Sequence, residues 1–129
     1  MDSASQASDL ESESSRQAFL LEMEQKFTVQ FYQVLENNNN RKPRERAYVW
    51  KELLNKSQEY VLPDNLLNIS LLYQYGKVLE ANKKLHKAAK IFQRGLWFMK
   101  ETGRLDNLAT ETLARELALS YRHLYYVVH

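Results

Sequence analysis

Cysteine is absent from these 129 residues, and only 3 Gly and 2 Pro interrupt them. The first absence removes disulfides, thiolate zinc sites, iron–sulfur clusters and cysteine nucleophiles. The second leaves too few turn residues for a sandwich or barrel of many short strands, so an all-α chain is expected. Long apolar runs are missing as well. Nothing approaches the ~20 residues of a membrane span, and the segment 1–15 is acidic where a signal peptide would be basic and then apolar. The expected setting is the cytoplasm, the nucleus or both, with no membrane partner.

What is present suits one globular domain: 44% of the residues are hydrophobic and 26% charged. A chain of this length buries roughly two thirds of its unfolded surface without metal or disulfide staples. Net charge is +2, unevenly spread: residues 1–40 hold seven acids and two bases, residues 41–129 nine acids and sixteen bases. The basic part suits an acidic partner or nucleic acid, and equally well mere solubility.

Residues 1–15 contain six Ser and four acids, with Leu10 as the one large apolar side chain after Met1. They are expected to form a disordered acidic, Ser-rich leader, because they offer too little surface to offset the entropy of ordering. Residues 16–129 form the helical domain. Leu20, Met23, Phe27, Phe31 and Val34 recur at helical spacing, predicting a helix to about Glu36 that the four Asn at 37–40 break. Pro43 opens a second helix whose face carries Ala47, Trp50, Leu54, Ser57 and Val61, with Pro63 ending it. Asp64 is read as the N-cap of a third, through about Asn82. A fourth runs from His86 to about Thr102, with Gly103 as a C-cap, and a fifth from near Asp106 to the last residue. Five helices with short links predict an array of antiparallel hairpins.

The third and fourth helices carry Leu72-x2-Tyr75-Gly76-x2-Leu79 and then Ala88-x3-Phe92. Small residues at 76 and 88 let two helices approach closely, while Tyr75, Leu79 and Phe92 fill the flanks. This layout resembles the tetratricopeptide repeat (TPR). Leu72, Leu79 and Lys100 depart from it, standing where Trp, Tyr and Pro are usual. The first-helix pattern returns in Ala114-x2-Leu117-Ala118-x2-Tyr121, a period of 42 that is similar to the extended repeats of kinesin light chains. The resemblance covers about residues 65–128. The first two helices lack the pattern and are either a degenerate repeat or a capping hairpin.

The resemblance implies a concave groove, lined by the first helix of each hairpin, that receives a peptide or helix of another protein. By position the groove residues are Ser70, Tyr73, Gln74, Lys77 and Ala81, then Arg115, Glu116, Leu119 and His123, with Arg122 adjacent. Lys77, Arg115 and Arg122 would favour an acidic or phosphorylated segment. The Lys and Asn of a chaperone-tail clamp are absent, Tyr73 and Lys77 standing there instead. In the bland alternative, Tyr73 and Leu119 simply pack within the chain. The end of the fifth helix, with Tyr125, Tyr126 and Val128, has no following helix to cover it. The expectation is an N-terminal part of a longer array, or completion by a partner helix or a second copy.

Nothing in the sequence composes an active site, and no cofactor or metal is implied. His86, His123 and His129 stand 37 and 6 residues apart, without a carboxylate or hydroxyl at a catalytic spacing, and three scattered glycines make no phosphate loop. The alternative to a protein-binding scaffold is a basic helical domain for nucleic acid. Its basis is the stripe Lys83, Lys87, Lys90 and Arg94, opposite Ala88, Phe92, Gly95 and Met99. The ordinary reading of that stripe is a solvated outer face.

Overall fold

The computed structural model describes residues 3–102 and 108–128. They form five helices: α1 (Ser3–Asn37), α2 (Pro43–Ser57), α3 (Leu66–Ala81), α4 (Leu85–Thr102) and α5 (Leu108–Val128), with a 3-10 turn at Asn38–Asn40. No strand occurs among the described residues. Each helix packs on the next in chain order, giving the array of antiparallel helices expected from the sequence.

The helix ends show which local signals prevailed. Pro43 occupies the first turn of α2 as expected, its fixed φ suiting a position whose N–H has no helical partner. That helix closes at Ser57, short of Val61, and a turn with Tyr60 N and Val61 N donating to Ser57 O carries the chain to Pro63. The N-cap of α3 is Asn65 rather than Asp64. Its side chain accepts from Leu67 N at 2.9 Å, a bond that Asp64, one residue further out, is too far back to make. Gly103 and Asp106, expected to cap α4 and open α5, lie outside the described residues.

The leader expected to be disordered through Ser15 instead continues α1 back to Ser3. Once residues 16–37 are helical, each added residue brings one hydrogen bond, and the segment holds no Gly or Pro to stop propagation. From Leu10 onward it gains no burial: Leu10 is 70% exposed, and residues 10–19 are all exposed.

The core runs the length of the array. Trp50, Ile69, Leu71, Leu72, Phe92, Leu117 and Leu124 are almost wholly buried. Each such side chain contributes about 1.5–3 kcal/mol relative to exposure. Two ring pairs mark the hairpins. Phe31 of α1 meets Trp50 of α2 at 5.4 Å, and Tyr73 of α3 meets Phe92 of α4 at 6.1 Å. Both pairs are 19 residues apart in sequence, and the second lies 42 residues after the first. Gly76 faces the Phe92 ring and Gly95 faces Leu117, so the small residues sit where α4 approaches its two neighbours.

The turn between α3 and α4 is closed by two bonds. Lys83 N donates to Glu80 O and Lys84 N donates to Leu79 O, the arrangement that normally has glycine at the left-handed position. Here Lys83 takes it, at φ 64°. The adjacent Asn82 amide donates to Val78 O at 3.0 Å and to Pro43 O at 2.9 Å, joining this turn to the start of α2.

Candidate functional site

With successive helices antiparallel, α1, α3 and α5 point the same way and share one side of the array. α3 touches both α1 and α5, so these three form the inner surface, while α2 and α4 back it. A cavity of about 640 Å³ opens on that surface. Its walls are Phe31 from α1, Ser70, Tyr73 and Gln74 from α3, and Leu108, Ala109, Thr112, Leu113 and Glu116 from α5. The volume lies within the range of ligand and side-chain pockets. Apolar groups dominate, and among the described residues Glu116 is the one charged residue in the wall and no base lines it.

Tyr73 forms part of the wall of this cavity. Its ring leans on Phe92, and its hydroxyl is hydrogen-bonded to the Glu116 and Ser120 side chains. Burial, followed by the negative charge of Glu116 and the bond to it, pushes the phenol above its ordinary value of 10.0. The hydroxyl donates to the carboxylate, a bond that holds Tyr73 in its neutral form.

Of the residues singled out from the sequence, Tyr73 and Gln74 meet in the cavity, with Ser70 and Glu116 beside them. Lys77, Arg115, Leu119, Arg122 and His123 are exposed and lie outside its wall. Lys77 sits 3.8 Å from Glu80 and Arg115 3.9 Å from Glu111, each a loose pair on its own helix. Such exposed pairs contribute little and leave both cations available to a ligand. At the end of α5, Leu124 is buried and Val128 half-buried, whereas Tyr125 and Tyr126 are exposed, Tyr126 by 73%. Tyr121, Tyr125 and Tyr126 form a chain of ring contacts at 6.2 and 5.6 Å.

Phe31, Leu108, Ala109, Thr112 and Leu113 belong to the site without having been singled out for it. The signal for Phe31 was available, since it precedes Tyr73 by the same 42 residues that separate the later helices.

His86 and His123 are exposed, and His129 lies outside the described residues. Among the described residues no three His, Asp or Glu side chains gather as a metal site would require, and no helix is long and apolar enough to cross a membrane. Comparison with protein-family models, with curated proteins and with solved structures finds no match.

Proposed function

We propose that the chain is a non-enzymatic, TPR-like scaffold of the cytoplasm or nucleus, holding a peptide or helix of a partner protein in the groove between α1, α3 and α5. The observation that carries this reading is the cavity walled by three successive odd-numbered helices, open to one side and largely apolar. The repeated ring pairs, Phe31 with Trp50 and Tyr73 with Phe92, support the repeat assignment for both hairpins. An apolar side chain of the partner fills the cavity, and an acidic or phosphorylated flank meets Lys77, Arg115 and Arg122 on the rim. No catalytic step and no cofactor enters this reading.

Immobilised protein, with captured partners identified by mass spectrometry, tests it. Ala109→Trp, which fills the cavity from an exposed position, and the pair Lys77→Glu with Arg122→Glu should each abolish capture at unchanged helicity. Capture that survives both and disappears with Tyr125→Ser and Tyr126→Ser would move the contact to the end of α5, where a partner helix or a second copy would dock, and end the groove proposal.

One observation favours the second reading, a nucleic-acid partner. Lys87, Lys90 and Arg94 are all exposed on the face of α4 opposite the buried Ala88, Phe92, Gly95 and Met99. Retention on a DNA or heparin column that falls steeply with salt distinguishes it.

A further inference from the structure

A second cavity, about 430 Å³, lies between α2, α3 and α4, away from the inner groove. Its wall contains Arg44 and Lys51 from α2, and Lys84 and Lys87 at the start of α4, with no acidic side chain among its lining residues. Tyr75 and Leu79, both buried, are also in the wall, as is the exposed Tyr48. Lys87 is held over the Tyr75 ring, Nζ to centroid 5.8 Å. Of the other carboxylates on these helices, Glu52 pairs with Lys56 at 3.1 Å, Glu80 lies 3.8 Å from Lys77, and Glu45 follows Arg44 in the first turn of α2 without lining the cavity. No ion pair among the described residues neutralises the four cations of the cavity.

Four like charges around one concavity repel one another and raise its potential well above that of a scattered basic face. The fold adds to this. Because α2 and α4 each run antiparallel to α3, they are parallel to one another, and both bring their N-terminal ends to this cavity. The Asn82 bond to Pro43 O fixes the two ends side by side. Lys42, at the N-cap of α2, makes no side-chain cap, and Glu45 stands in the first turn of that helix, whereas α4 has no acid in its first turn, so the positive dipole end of α4 is the one that no first-turn acid offsets.

We infer that this cavity binds a compact ligand carrying several clustered phosphates, with Arg44, Lys51, Lys84 and Lys87 contacting the phosphate oxygens and Tyr48 covering the ligand at the mouth. Clustered phosphates match the site better than a single carboxylate, because only they bring several negative charges into a cavity of this size. The same chemistry is offered by a free polyphosphorylated metabolite and by a phosphorylated lipid headgroup, and the cavity's recessed, partly apolar floor favours the free molecule.

The full chain is titrated by calorimetry with inorganic tripolyphosphate and inositol hexakisphosphate, and sedimented with vesicles containing a bisphosphorylated inositol lipid. Both soluble probes should bind and raise the melting temperature. The pair Lys51→Glu with Lys84→Glu should weaken them by about tenfold or more. The pair Lys90→Glu with Arg94→Glu, an equal charge change on exposed positions outside the cavity, should weaken them less than about threefold. Vesicle binding that depends on Lys51 and Lys84 reassigns the phosphates to a headgroup and retains the site. Absence of binding to all three probes, or equal weakening by both variant pairs, overturns the inference. So does tight binding of a single-stranded oligonucleotide that both pairs weaken alike, since that describes an extended nucleic-acid surface. All four positions are exposed, and unchanged melting of the unliganded variants checks that they fold.

Discussion

A methyl group on Gly76 would lie 2.6 Å from the Phe92 ring, closer than any relaxed carbon contact. Phe92 is wholly buried and leans on Tyr73, so it has no room to withdraw. Gly76→Ala is therefore expected to destabilise despite the better helix propensity of alanine, and Gly76→Leu to cost about 1–3 kcal/mol or more through overpacking. Urea unfolding measures both. At Gly95 the nearest contact is 3.0 Å to a flexible Leu117 methyl, so Gly95→Ala should be the milder change. A reversed order would show that α3 and α4 do not meet as described.

The caps separate two adjacent residues. Asn65→Ala removes the acceptor of the Leu67 N–H and should cost about 1 kcal/mol, whereas the exposed Asp64→Ala should change stability by a few tenths. Equal losses in thermal melting would make Asp64 the cap.

Lys83 offers a stabilising substitution. Its Cβ is strained at φ 64°, and Lys83→Gly should raise stability by about 0.5–1 kcal/mol, the relief of strain exceeding the extra entropy of glycine in the unfolded chain. A lower melting temperature would contradict the turn geometry.

Tyr73 gives a pH dependence whose sign is fixed. Its phenol titrates higher in the folded chain than in the unfolded one, so its contribution is complete below about pH 10 and is lost as pH rises through the folded value. Melting temperature should fall above that pH, less so in Tyr73→Phe, and spectrophotometric titration of Glu116→Gln should show one tyrosine moving back toward its ordinary value. Identical alkaline profiles for the parent and Tyr73→Phe would mean that the hydroxyl is solvated.

Deleting residues 1–12 should leave the melting temperature unchanged while far-ultraviolet helicity drops in proportion to the residues removed, since the Leu10 side chain is exposed and the first core residue of α1 is Phe27. A lower melting temperature would place part of this segment against the core.

Periodicity made the helices legible, and the small residues at 76 and 88 made one hairpin legible, because both are written in neighbouring positions along the chain. The equivalence of the first hairpin was harder to read. Val34 stands where the repeat would place a glycine, so the motif fails there, yet Phe31 and Trp50 preserve the ring pair that Tyr73 and Phe92 form. The cavity wall on α5 was missed for another reason. Leu108, Ala109, Thr112 and Leu113 are unremarkable in sequence and become a wall only when α1 and α3 stand opposite them. Composition reports whether a segment can be buried, and a helical extension such as residues 10–19, exposed throughout, requires no burial.

The Asn82 side chain spans 39 residues to reach Pro43 O, joining the second hairpin to the first. Apolar packing between α2 and α3 tolerates sliding and tilting, whereas a bond of 2.9 Å at one end sets a pivot. A polar contact at the outer edge thus fixes the point at which the second hairpin meets the start of the first hairpin's second helix.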